Sequence, residues 1–399
     1  MIDSLSLQNR VQAPVFPSRG LALTKGDGAR LQDVYGRRYL DFTSGYGVAI
    51  FGHNHPVLTA ALTAQFAQLA VLHGSFANDI RAEAQAALLE RCGGGLDRVH
   101  LSSSGAEANE AALKFAVLAT GQKRFIACRG GYHGKTLGAL AATDGAKYRG
   151  PFEPLPWDFD FVPYGDVAAL DAILDGGTAA FIVEPIQGES GVHPAPPGYL
   201  NAVAALCKAR GVLLILDEIQ TGTGRTGAFL ASAAEVSSFD ILTLGKGLAG
   251  GIPIGATLVS APVAAAIGRG SHTSTFSGSP LAAAGIKAVL GLLDERNLDR
   301  VRKSGEHFRR ALGRIRSPLI KDVRGRGLMI GVEIDGRRDD VLKMLQRERL
   351  LAIPAGDDVV RFLPPYIVEP AQIDEAAAIL QNVLTMLESR GAVHACAGS

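Results

Sequence analysis

Long apolar runs are missing from this sequence. The longest, such as the run over 212–216, fall far short of the ~20 residues that a membrane helix needs, so no membrane span is expected. An excess of one charge is missing too. Forty Lys and Arg stand against 39 Asp and Glu, a formal net charge of +1. That balance offers no field to attract a nucleic-acid backbone or an anionic membrane surface. Cysteines are few, and the four present, Cys92, Cys128, Cys207 and Cys396, show no C-x-x-C spacing. They read as reduced, structural thiols of a cytoplasmic protein, and no metal site is expected from them. The first ten residues carry an acid and no apolar core, so no signal peptide is read. Internal repeats and low-complexity segments are absent as well.

What is present is typical of a soluble globular enzyme: 47% hydrophobic and 20% charged residues over 399 positions. That length suits one large core or two unequal domains. Forty-eight glycines point to many tight strand-to-helix turns. Residues 20–44 read as a hairpin around Asp33-Val34-Tyr35-Gly36. The following His53-Asn54-His55-Pro56 reads as a structural loop rather than a metal site. Alanine- and leucine-rich residues 57–91 read as helical. Short apolar strands are expected at 99–102, 125–128, 179–183 and 212–216, separated by helices. The run 212–216 is apolar without alternation, as a strand buried on both faces requires. The fold class is therefore α/β, a largely parallel sheet wrapped by helices. From Leu281 one long helix is expected through the charged stretch near 294–310. Beyond it, strands at 328–334 and 359–363 and a helix from Pro370 to Ser389, stopped by Gly391, make a second, smaller α/β domain. The helix should bury Ile373, Ala377, Leu380, Leu384 and Leu387.

One lysine stands out. Lys246 lies between two glycines at the end of a short apolar run, and no carboxylate lies nearby in sequence. A water-poor setting lowers an amine's pKa and frees its lone pair for attack on a carbonyl. The ends of the other strands carry chemistry as well. Asp217 closes the run 212–216, and Glu184 and Glu189 follow the run 179–183. Ser104-Gly105-Ala106 opens a helix, where free N–H groups can hold a phosphate; a plain cap by Ser104 is the alternative. Tyr132 could cover a flat ring or fill the core. The stretch Gly130 to Thr136 is one residue short of a P-loop, which keeps a nucleotide-binding hydrolase as a rival.

Aldehyde chemistry on amines needs an electron sink, and pyridoxal 5'-phosphate (PLP) supplies one. The pieces suit it. Lys246 would bond the aldehyde as a Schiff-base lysine and later move a proton. Asp217 would keep the ring nitrogen protonated, Gly105 and Ala106 would offer N–H groups to the phosphate, and Tyr132 would cover the ring. Arg361 would hold a carboxylate bidentately.

The chain resembles the class III (subgroup II, ω-amino) PLP-dependent aminotransferases of fold type I, from about residue 17 to 388. The matching motifs are Ser104 through Ala111, Tyr132 through Gly138, Glu184-Pro185-Ile186-Gln187-Gly188-Glu189, Leu216 through Gly222 with Gly224-Arg225-Thr226-Gly227, and Gly245-Lys246-Gly247. The resemblance implies a large domain over 46–285 with a mostly parallel seven-stranded sheet, and a smaller domain built from 1–45 and 286–399. It implies Lys246 and Asp217 as catalytic residues. Ser104, His133 and Glu184 join the cofactor-binding residues, and Gln220 sits beside the ring's phenolic oxygen. Thr275 is implied as a phosphate ligand donated across a homodimer with shared active sites. Glu189 is implied as a gate on Arg361, and Tyr46 as a substrate contact. The expected partners are an amine donor and a 2-oxo acid acceptor, with ping-pong kinetics and neither nucleic acid nor membrane.

Two departures bear on substrate. Related ornithine, acetylornithine and 4-aminobutyrate enzymes usually carry arginine where this chain has Lys135, a weaker carboxylate anchor. The segment from Tyr132 to Leu155 is similar to putrescine aminotransferases. Ser279 replaces the family's usual asparagine. The expected reaction is thus transfer of a terminal amino group from a diamine or ω-amino compound to 2-oxoglutarate or pyruvate, or the reverse. An acetylornithine/ornithine-type enzyme is the alternative, and a same-fold epimerase or decarboxylase a further rival.

Overall fold

The structure, a computed structural model, describes residues 3–397, with 390–397 given as helical backbone. Near the N-terminus, strands Leu23–Asp27, Arg30–Asp33 and Arg38–Asp41 form an antiparallel meander. The turn at Val34-Tyr35-Gly36 is pinned by the Asp33 carboxylate, which accepts from the N–H groups of Tyr35 and Arg37 at 2.9 Å. The short strand Leu350–Leu351 adds to this sheet in parallel with Arg38–Asp41, so distant ends of the chain meet there.

Seven strands make the central sheet. In spatial order they are Leu96–Ser102, Gly255–Ser260, Ile241–Leu244, Leu213–Asp217, Thr178–Val183, Arg124–Cys128 and Asp158–Val162. All run parallel except Gly255–Ser260, which is antiparallel to both neighbours. The inner strands at 178–183 and 241–244 are buried along their whole length, which is why their sequences show no alternation. Gly255 starts the one antiparallel strand, and a Cβ there would overlap the Ser104 carbonyl oxygen. That contact seats the strand directly under the turn that opens helix Gly105–Thr120.

The C-terminal part holds a four-stranded sheet in the order Ile320–Arg326, Met329–Ile334, Val359–Phe362, Ile353–Ala355. Helix Pro370–Ala397 packs against helices Glu295–Gly313 and Arg338–Arg347, with Ile373, Leu380, Leu384 and Leu387 buried. Two expectations need correction. The long helix from Leu281 is two, Pro280–Leu292 and Glu295–Gly313, because Asp294 caps the second one through the Asn297 N–H at 2.8 Å. Gly391 does not stop the last helix, which continues through it to Ala397.

No described helix is long and apolar enough to cross a membrane. Cys128 and Cys207 are buried, and burial pushes both thiols up to about 12. Both should therefore resist a thiol reagent at pH 8 until the protein is unfolded; rapid labelling of either in the native protein would contradict the packing. The side chain of Cys396 lies outside the described residues.

Candidate active site

The carboxyl ends of the parallel strands converge on one cavity of about 290 Å³. Its walls are Gly105, Ala106, Tyr132, His133, Gly134, Lys135, Glu184, Asp217, Ile219, Gln220 and Lys246. Crevices outside strand C-termini are where open α/β sheets bind ligands.

Lys246 follows strand Ile241–Leu244 by two residues and sits at φ 49, a left-handed conformation uncommon for a non-glycine residue. Its flanking glycines are explained by close packing. A Cβ on Gly245 would stand 3.2 Å from the Gly105 Cα, and one on Gly247 would stand 2.5 Å from the Ile50 Cγ2. Burial is the main reason the Lys246 amine is held below its ordinary pKa; Glu189 opposes the shift and Arg361 reinforces it.

Asp217 ends strand Leu213–Asp217 and is almost fully buried. Its Oδ2 accepts from Asn109 Nδ2 at 2.7 Å and lies 2.7 Å from His133 Nδ1, while Oδ1 accepts from the Ile219 N–H at 3.0 Å. Asn109 also donates to the His133 carbonyl at 2.7 Å and accepts from Thr243 Oγ1 at 2.8 Å. It therefore fixes both the carboxylate and the loop beside it. Sequence reading missed this role, since one asparagine in an alanine-rich helix looks ordinary. Burial alone would lower the His133 pKa, but Asp217 holds it above its ordinary value. Glu184 accepts from the Tyr132 N–H at 3.0 Å and the Gly188 N–H at 3.2 Å. Burial pushes its carboxyl up to about 7.

Helix Gly105–Thr120 opens at the cavity. Ser104 is its cap: Oγ accepts from the Glu107 N–H at 3.2 Å, and Glu107 accepts in return from the Ser103 N–H at 2.8 Å. The arrangement is a variant of the capping box, with Glu107 reaching the N–H of the residue before the cap. Gly105 and Ala106, at the first turn, present the N–H groups that a helix cannot satisfy internally. Ser104 stands behind them rather than in the cavity wall. The Gly134-Lys135-Thr136 loop does not act as a P-loop. Its following helix, Leu137–Ala142, has its start filled by Glu110, whose Oε2 accepts from Thr136 Oγ1 at 2.7 Å and the Ala139 N–H at 2.9 Å. A carboxylate already holds the place a phosphate would take. Lys135 reaches the rim, its Nζ 5.3 Å over the Tyr148 ring, which packs edge-on to Tyr132 at 6.0 Å.

Arg361 lies on an inner strand and is 0% exposed. It donates to Glu189 Oε1 at 2.7 Å, to Gln220 Oε1 at 2.8 Å and to the Gly188 carbonyl at 2.8 Å. Glu189 remains partly exposed, 26% by side chain. Burial would raise its pKa, yet Arg361 and Lys246 hold it below the ordinary value. Gln220 thus links the cavity to an arginine whose carboxylate partner can still reach water.

The turn Ser44–Gly47 carries Tyr46, which is half exposed. Four consecutive residues have positive φ: Ser44 at 45°, Gly45 at 60°, Tyr46 at 62° and Gly47 at 86°. They form one turn of left-handed helix, closed by Gly47 N–H to Thr43 O at 2.9 Å and Val48 N–H to Ser44 O at 2.8 Å. Such a conformation costs about 1–2 kcal/mol for each non-glycine residue. Thr275 sits exposed on a loop and does not line the cavity. Arg81 ties that loop to the segment 72–76 by donating to the carbonyls of Gly278, Phe76 and Leu72. Phe76 and Phe276 expose apolar surface on these two segments, and Leu69 and Val71 do so just before the first. His53 pairs with Asp41 at 2.9 Å, and His55 stands just before helix Pro56–Gln68 without a side-chain hydrogen bond to it. Among the described residues no group of three or more His, Cys, Asp or Glu could hold a metal ion.

Residues 13–384 match a family model described as aminotransferase class-III. The acetylornithine aminotransferase of Methanopyrus kandleri is 41% identical over 386 residues, which cover 96% of this chain and 99% of that protein. The [LysW]-aminoadipate semialdehyde/glutamate semialdehyde transaminase of Sulfolobus acidocaldarius is 39% identical over 379 residues, 94% of this chain and 98% of that protein. Among solved structures, the ornithine aminotransferase from Toxoplasma gondii ME49 superposes with a TM-score of 0.92 at 36% identity, covering 96% of this chain and 95% of that chain.

Proposed function

The chain belongs to the class III aminotransferases, and from that membership we propose that it uses PLP to exchange a terminal amino group between an acetylornithine- or semialdehyde-type substrate and 2-oxoglutarate. The observation that carries the reading is the convergence of Lys246, Asp217 and the open start of helix Gly105–Thr120 on one cavity. The relatives favour this acetylornithine/ornithine-type substrate over the diamine that Lys135 suggested.

The residues fit the cofactor. Gly105 and Gly134 keep the helix start narrow and bare: a Cβ on Gly105 would meet Ile219 at 2.8 Å, and one on Gly134 would meet the Ala106 Cβ at 2.7 Å. Bare N–H groups at a helix start hold a phosphate. When bound, PLP supplies an aldehyde that condenses with amines and a ring that takes up the electron pair released at the substrate carbon. Asp217, oriented by Asn109 and His133, would hold a proton on the ring nitrogen. Tyr132 would cover one ring face. Lys246, whose pKa burial lowers, would be the group that accepts a proton from substrate carbon and returns it. Arg361 would take a substrate carboxylate once Glu189 swings aside, and Gln220 would keep that arginine beside the cavity. We also propose that the loop carrying Thr275 reaches the site of a second copy in a homodimer; its apolar neighbours Phe276 and Phe76 support a surface meant to be covered.

A donor panel tests the substrate. With 2-oxoglutarate as acceptor, glutamate should form at least about tenfold faster per unit concentration from N-acetylornithine or ornithine than from putrescine or cadaverine, which carry no carboxylate for a charged anchor to hold. Faster turnover of the diamines would restore the reading based on Lys135.

A further inference from the structure

The His53-Asn54-His55 motif has no part in the chemistry above, yet His53 reaches a carboxylate with an unusual duty. Asp41 is 1% exposed. Its Oδ1 accepts from the Thr43 N–H at 2.9 Å, from Thr43 Oγ1 at 2.6 Å and from the Ser44 N–H at 3.2 Å. Its Oδ2 faces His53 Nε2 at 2.9 Å. Both carboxylate oxygens are thus engaged at the entrance of the left-handed turn. His53 is itself seated by the meander: a Cβ on Gly26 would stand 2.6 Å from its Cγ, and the His53 and Gly28 backbones exchange hydrogen bonds at 2.8 and 3.0 Å. On its inner side the turn roofs the reactive lysine. A Cβ on Gly47 would stand 3.9 Å from Lys246 Cδ and 3.4 Å from Leu363 Cδ1, and Leu363 lies two residues past Arg361.

We propose that Asp41 and His53 are a positioning pair, which holds the turn Ser44–Gly47 left-handed and so sets Tyr46 at the amine-substrate entrance above Lys246. The inference rests on the amino-transfer reading given above. The physical reasoning is that two non-glycine residues do not stay at positive φ unless something holds them there. Three donors of residues 43 and 44 and one imidazole, converging on a single buried carboxylate, supply that hold. The pair touches no reacting atom; it acts through the backbone.

Gly45 gives a clean test, because no atom lies within 4 Å of a Cβ placed there and its φ is +60°. Substitution at Gly45 therefore reports handedness and nothing else. In the PLP-loaded enzyme, Gly45→Val should raise KM for the amine about tenfold, since a β-branched residue resists positive φ. KM for the 2-oxo acid and cofactor absorbance should stay near the parent's. Gly45→Asn, which tolerates this conformation, should stay within about threefold. His53→Phe should follow Gly45→Val, and His53→Gln, which keeps an N–H donor, should recover most of the loss. In a Tyr46→Phe background the Gly45→Val effect should shrink. A folded Gly45→Val enzyme with unchanged amine KM, or with equal shifts for both substrates, overturns the inference. If Gly45→Val does not fold, the two His53 variants decide by the same criterion. A parent that forms no glutamate from any amine would instead defeat the amino-transfer reading, and this inference with it.

Discussion

Lys246→Ala is expected to abolish amino transfer, by on the order of 10⁴-fold or more, while the protein stays folded. The loss should be large because, on the proposed reading, one amine would serve both as the covalent anchor and as the group that moves the proton. The fold survives because alanine meets the same backbone strain at φ 49 that lysine does. Half-reaction spectra with an amine donor and a thermal melt read the two parts separately. Turnover within tenfold of the parent would remove Lys246 from the site. A companion variant, Lys246→Met, gives a pH signature. The folded amine has a pKa below the ordinary 10.5, chiefly through burial. Between the folded and unfolded values the unfolded chain binds more protons, so the destabilisation by this lysine of the cofactor-free fold is fully present below the folded pKa and fades as pH rises to 10.5. Lys246→Met should therefore melt higher than the parent at pH 7, and the gap should close as pH approaches 10.5. A gap that widens with pH would contradict the burial of a cation.

Asp217→Ala is expected to lower kcat by about 10²–10³-fold, the usual cost of losing one aimed electrostatic partner. It should also destabilise the protein by about 3 kcal/mol, because breaking a buried charge pair strands the partner. Here the stranded groups are His133 Nδ1 and Asn109 Nδ2, each 2.7 Å from the lost oxygen. Asp217→Asn should keep more of the stability than of the rate, since an amide retains a hydrogen-bonding oxygen but not the charge. Steady-state kinetics beside chemical denaturation would check both. A rate loss no larger in Asn than expected from stability alone would make the residue structural.

The sequence makes the site more legible than the frame around it. Asp217 is conspicuous because a carboxylate at the end of an apolar strand must face something. Lys246 is conspicuous because glycines flank it, although the reason lies in packing against Gly105 and Ile50, which no local pattern encodes. The choice between cap and cavity wall for Ser104 was open, since both readings use the same helix start, and only the Glu107 contacts place its hydroxyl. Strand Ile320–Arg326 is hidden in the sequence because its residues are mostly polar and none is fully buried. The break between Pro280–Leu292 and Glu295–Gly313 is hidden because Asp294 and Glu295 read equally well as helix surface. Handedness at Ser44–Gly47 is beyond any periodicity: it follows from a carboxylate three residues upstream and a histidine beyond the turn.

The overlap between a Cβ at position 255 and the Ser104 carbonyl has a practical side. For anyone retuning donor range by library selection, position 255 is dead ground. Any side chain there would jack up the floor beneath the anion pocket before it touched a substrate. The rim at Lys135 is the opposite case, exposed on its loop and open to diversification without disturbing what lies beneath it.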